Sequence, residues 1–186
     1  ICRQIIGSET NPYNKARRIY TFLISEIKAR ESSAADAGRS ILTALEKKNG
    51  GAYDLALLFC TLARAAGVPA VPTAGLLVDP QQKAVLHWWA EFYVNGFGWV
   101  PVDPALASAV PFDTGVADKG RWYFGNLDAY HIAFSRGYQT QAPMLPNGKT
   151  TEKVRSYAFR SIWEEATPNI SGYSALWRLP KITSVY

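Results

Sequence analysis

His87 and Asp103 stand 16 residues apart, on either side of the turn signal Asn95-Gly96-Phe97-Gly98. If the flanking segments are strands, the two side chains face each other or sit one pair out of step. A histidine held by a carboxylate can take up and return a proton, the carboxylate fixing its tautomer and orientation. Upstream, Gly50-Gly51-Ala52-Tyr53-Asp54 opens a helix. The unpaired N–H groups of a first helical turn favour an anion, so a thiol placed there ionises readily. Together these parts suit acyl transfer through a covalent intermediate, provided a nucleophile stands at the helix start. Position 52 is alanine. Tyr53 beside it is a poor acyl acceptor, since phenols in general ionise only at about pH 10 and its side chain is long. Cys60 lies about 12 Å further along the same helix, too far to substitute. As written, the chain supports no covalent catalysis.

The elements that must position these residues can be read from periodicity. Asn11-Pro12 is an N-cap followed by proline at the first helical position. Ile19, Tyr20, Leu23 and Ile27 then recur at helical spacing, predicting a helix over about 12–30. A second helix is expected from near Asp36 to Lys48, with Ile41, Leu42 and Leu45 inward and Asn49-Gly50-Gly51 ending it. The third, over roughly 52–66, carries Leu55, Leu58, Phe59 and Leu62 on one face and alanines at 56, 63, 65 and 66 where neighbours can approach closely. Gly67 is a good residue to end it, and Val68-Pro69-Ala70-Val71 begins extended structure.

From there the pattern has period two. Val85–Val94 places His87, Trp89, Glu91 and Tyr93 on one face and Trp88, Ala90, Phe92 and Val94 on the other. Trp99–Asp103 returns as its partner strand. Residues 105–150 are rich in Gly, Pro and Tyr and read as loops, with late strands expected at Ser156–Trp163 and Trp177–Ser184. The fold class is therefore α+β: N-terminal helices, then an antiparallel sheet, with a central helix packed on it. One domain over 1–186 suits the length, and the abrupt start at Ile1-Cys2 is what a piece of a longer precursor would show.

Composition narrows the classes. At 48% hydrophobic and 13% aromatic, the chain can build a core. No apolar run approaches the roughly 18 residues needed to span a bilayer. The net charge of +5 is spread over scattered Lys and Arg residues, which reads as a solvated surface and not a nucleic-acid interface. Two cysteines and two histidines offer no disulfide framework and no metal spacing, and acidic clusters suited to calcium are not evident, so no metal is expected. Cys60, among Leu58, Phe59 and Leu62, reads as a buried inert thiol. Asp54 reads as a first-turn carboxylate stabilised by the helix, and Glu91 shares a face with His87 and could orient its neighbours.

The order of these residues resembles the transglutaminase-like superfamily, the papain-related domains of transglutaminases and bacterial transglutaminase-like peptidases or amidases. The matching positions are Gly50, Asp54, Phe59, Arg64, Ala65, Gly67, Pro69 and Ala70, followed by His87, Trp89, Glu91, Gly98, Trp99, Asp103 and Pro104. They cover about residues 36–104, and Tyr123–Asp128 resembles bacterial members more loosely. The resemblance implies a papain-like fold and a Cys-His-Asp triad with His87 and Asp103 in place. The family's cysteine falls on Ala52. It implies attack on peptide or protein amides through a thioester, resolved by water or an amine, without a cofactor. Trp88, Trp89, Trp99 and Tyr53 are the candidate walls of a substrate cleft. Either Ala52 is a deliberate change in an active enzyme, or the protein is a natural pseudoenzyme that holds peptide or cell-envelope glycopeptide. A purely structural domain is a third reading. The resemblance also leans towards an extracytoplasmic location, periplasmic or at the cell surface.

Overall fold

A computed structural model describes residues 1–31, 40–79, 81–108, 111–137, 149–153, 162–167, 169, 171 and 183. After a short α1 (Cys2–Ile6), Asn11 caps α2 (Pro12–Glu26), its Oδ1 accepting from Tyr13 N at 2.9 Å and Asn14 N at 3.2 Å. Ile19, Tyr20, Leu23 and Ile27 are buried, as their spacing predicts. The helix stops four residues before the expected position 30. Lys28–Ala29 instead form β1, which pairs in parallel with β2 (Asn49–Gly50).

The second predicted helix is shorter as well, α3 spanning Leu42–Lys47; its expected start at Asp36 lies outside the described residues. Ala44 is its buried residue, while Leu42, expected inward, is exposed. Lys48, and not a glycine, takes the left-handed cap with φ 50°. Gly50 serves close packing: a Cβ there would lie 2.9 Å from Asp54 Cβ and 3.1 Å from Ala44 Cβ.

The central helix α4 (Ala52–Ala65) is buried along most of its length. Leu55, Leu58, Phe59 and Leu62 face the core with Ala56 and Ala63, whereas Ala65 is exposed. Each large apolar side chain so buried stabilises the fold by about 1.5–3 kcal/mol. Gly67, at φ 78°, ends the helix, and Val68 N donates back to Ala63 O at 2.9 Å.

The sheet runs β5-β4-β3-β6, all neighbours antiparallel, from β3 (Ala70–Val78), β4 (Ala84–Val94), β5 (Gly98–Val102) and β6 (His131–Arg136). One face carries Trp88, Ala90 and Phe92 against α4 and α2. The other carries His87 and Trp89, and here Leu77 packs with Leu106, Phe112 and Tyr123 in a smaller core. Two short helices, α5 (Pro104–Ala107) and α6 (Lys119–Trp122), lie in the segment between β5 and β6.

β6 corrects the loop reading of residues 105–150. Its composition, His-Ile-Ala-Phe-Ser-Arg, gives little alternation, and it sits at the sheet edge. What admits it is Gly75 on β3, where a Cβ would lie only 1.9 Å from Ile132 O. Gly75→Ala is expected to force β6 away and cost about 1–3 kcal/mol, read as a lower denaturation midpoint. An unchanged midpoint would refute so close an approach.

β7 (Lys149–Lys153) and β8 (Ile162–Ala166) form a separate antiparallel pair. Of the expected strand at Ser156–Trp163, only 162 and 163 are described, and they belong to β8. Of Trp177–Ser184, only residue 183 is described, and no element includes it. Among the described residues, no helix is long and apolar enough to cross a membrane.

Candidate active site

Register decides how His87 meets Asp103. Ala90 pairs with Val102, so the ladder extended by one step puts residue 103 opposite Trp89, and His87 reaches it diagonally. The carboxylate is held at both oxygens. Asp103 is the N-cap of α5, its Oδ1 accepting from Ala105 N at 3.0 Å and Leu106 N at 2.9 Å. Its own N–H donates to Tyr123 O at 2.9 Å. Oδ2 lies 2.5 Å from His87 Nε2. Ala52, His87 and Asp103 are each 1% exposed or less.

Burial alone would raise the Asp103 carboxyl, but the electrostatic influence of the adjoining His87 and the hydrogen bonds from His131 and His87 outweigh it and hold it far below the usual carboxylate range. Asp103 is therefore ionised and accepts only. His87 must carry its proton on Nε2, which leaves Nδ1 as the nitrogen that can take one up. This is the tautomer a general base needs when its carboxylate partner sits on the far side.

A second histidine, which the sequence reading did not single out, completes the cluster. His131 Nε2 lies 3.1 Å from the same Asp103 Oδ2, and its Nδ1 lies 2.8 Å from Asp128 Oδ1. Asp128 in turn accepts from Tyr123 Oη at 2.5 Å and Tyr130 N at 3.0 Å. No local motif announces this arrangement, because His131 and Asp103 are 28 residues apart and meet only through the β3–β6 pairing. The ligand atoms of His87, Asp103 and His131 all lie within 4.8 Å of one another, a spacing a metal ion could also use.

The predicted aromatic wall divides. Trp89 is buried against the cluster, stacked on His87 at 6.3 Å between ring centres and edge-on to His131 at 5.1 Å. Trp88 and Tyr53 lie on the opposite face, buried edge-on to each other at 5.7 Å. That contact seats the first turn of α4 on β4, next in sequence to both Ala52 and His87. Trp99 pairs with Tyr93, six residues from His87 and so about 20 Å along the strand. It is 43% exposed and carries Arg136 over its ring at 4.3 Å. Glu91 orients that arginine, Arg136 Nε donating to its Oε2 at 2.8 Å, and not His87.

The remaining acid and thiol behave as their positions suggest. Asp54 Oδ2 accepts from Gly51 N at 3.0 Å, tying down the turn before residue 52, and lies 3.5 Å from Arg30. Cys60 is buried, and that burial pushes its thiol up to about 12, so it stays protonated and unreactive.

Known proteins are similar to this chain over part of its length. A Haemophilus influenzae protein of uncharacterized function is 31% identical over 164 residues, 71% of this chain and 44% of its own length. The chain thus spans less than half of that relative. Among solved structures, a candidate cysteine protease from Cytophaga hutchinsonii aligns over 56% of this chain and 35% of its own, at 21% identity and a TM-score of 0.48. The periplasmic domain of TgpA from Pseudomonas aeruginosa aligns over 55% and 40%, at 20% identity and a TM-score of 0.42. The sequence profile of the transglutaminase-like superfamily matches residues 1–104, which carry α4, His87 and Asp103. The chain belongs to that superfamily.

Proposed function

We propose that this domain is built for cysteine-type acyl transfer on peptide amides, with residue 52 as the nucleophile position, His87 as proton shuttle and Asp103 as its orienter. The observation that carries this reading is the buried His87–Asp103 pair, in a member of the transglutaminase-like superfamily whose residue 52 opens α4. With a cysteine at 52, its thiolate sulfur would bond to the amide carbonyl carbon. The C–N bond would break, the amine leaving with the proton carried by His87. Water or a second amine would then resolve the thioester, giving up its proton to His87 and returning the thiolate. N–H groups in the first turn of α4 are the candidate donors to the oxyanion. With Ala52 in place the C–S bond cannot form, and the chain retains the proton-transfer pair without the covalent step.

The test is Ala52→Cys in a Cys2→Ser background, since Cys2 is partly exposed. Iodoacetamide is expected to label residue 52 at pH 7, and His87→Ala to slow that labelling by about a hundredfold or more. Labelling that is indifferent to His87, with no amide turnover, would end the enzyme reading. The domain would then stand as a binding or structural module.

A further inference from the structure

Two imidazoles converge on one oxygen in this structure. Asp103 Oδ2 has His87 Nε2 at 2.5 Å and His131 Nε2 at 3.1 Å, and the two rings meet edge to face at 5.8 Å. We propose that His131 is a positioning residue that shares the Asp103 carboxylate with His87, so that His87 stays oriented without being locked in its charged form. This rests on the role given to His87 above.

His131 lies between two carboxylates. Both of its nitrogens point at carboxylate oxygens, one on Asp103 and one on Asp128. A neutral imidazole has one N–H and can serve only one of them. Serving both requires the doubly protonated ring. The groups that face it agree: Asp103 and Asp128 are held ionised, Tyr123 donates to Asp128, and among the described residues its remaining titratable neighbour is His87. Burial by itself would lower His131, but the hydrogen bonds to the two carboxylates raise it to about 9. The side chain is 3% exposed, so water does little to screen this charge.

The consequence for His87 has a definite sign. A buried carboxylate 2.5 Å from an imidazole and otherwise unopposed would bind its proton tightly. A shuttle must also release that proton to a leaving amine. The imidazolium of His131 offsets part of the Asp103 charge while its N–H keeps Oδ2 in place. Asp128, backed by Tyr123 and Tyr130, keeps His131 charged and aligned. The chain of contacts Tyr123–Asp128–His131–Asp103–His87 thus ends on the nitrogen opposite the one that exchanges protons.

Two measurements test this. In the chain as it stands, long-range proton–nitrogen correlation spectra contain only two histidines. At pH 7 both ring nitrogens of His131 are expected to be protonated; a neutral His131 ring would overturn the proposal. Adding zinc ions is expected to leave both rings unchanged. One equivalent of zinc retained through both histidines would overturn it too, since the groups would then be ligands.

In the Ala52→Cys, Cys2→Ser protein, His131→Gln keeps an N–H on Asp103 but removes the cation. The thiolate–imidazolium pair is then better stabilised, and iodoacetamide labelling at pH 6 is expected to rise about threefold or more. A merely structural role would loosen Asp103 and lower the labelling; a fall or no change refutes the proposal. If labelling of the parent does not depend on His87, the catalytic reading is what has failed. The spectra of the Ala52 protein still decide the charge on His131.

Discussion

Replacing Asp103 with alanine is expected to lower the unfolding free energy by about 3–5 kcal/mol, the cost of removing one partner from a buried charge pair. Asp103 accepts four hydrogen bonds, from Ala105 N, Leu106 N, His87 and His131, and none of its side chain is exposed. Its removal takes the cap from α5 and leaves the His131 charge facing Asp128 alone. Asp103→Asn separates the two losses. The asparagine oxygen still caps α5, recovering about 1 kcal/mol, while the missing charge is still felt by both histidines. Urea denaturation of the three proteins measures this. A loss below about 1 kcal/mol for the alanine variant would mean that the cluster is not assembled as described.

The second large effect is a loss of stability towards alkaline pH. The folded His131 titrates at about 9, against an ordinary value of 6.5. A group raised in this way contributes fully below 6.5 and loses its contribution as pH rises through about 9. The expected loss approaches about 3 kcal/mol once pH passes the folded value. Asp103 and Asp128 are shifted downward, so their contributions are present above the ordinary 3.8 and disappear as pH falls. Stability should therefore be greatest between about pH 4 and 6.5 and decline from there towards pH 9. Among the described groups that are shifted, His131 is the one that titrates between about pH 6.5 and 8.5, since Cys60 and the buried Tyr20 and Tyr123 have ordinary values of 9.0 and 10.0 and are raised further. A profile that stays level in the native protein would contradict the bridged imidazolium.

These effects bear on how far sequence alone reaches. The α2 cap at Asn11, the apolar stripe of α4, the end at Gly67 and the β4–β5 hairpin around Gly96 and Gly98 were legible because each is set by neighbours within a few residues. The 16-residue spacing left two geometries for His87 and Asp103, and the Ala90–Val102 register selects the diagonal one. Helix ends were less legible. The early stop of α2 depends on Lys28–Ala29 finding Asn49–Gly50, some twenty residues away.

The placing of the aromatic residues was not legible for a similar reason. Tryptophans at 88, 89 and 99 look alike on paper, but strand alternation sends Trp88 to the face with Tyr53. Trp89 stays beside the histidines, and six residues of strand separate Trp99 from His87.

The family, the α+β class, the candidate pair His87 and Asp103, and the alanine at position 52 could all be read from the chain alone. These follow from residue identity and short-range spacing. The sharing of the Asp103 carboxylate emerges only in the folded protein, because His131 reaches it through an edge strand that Gly75 admits by having no side chain. A contact made by chain crossing leaves no period in the sequence. Its energy comes from burying ionised partners together, which only the folded arrangement brings about.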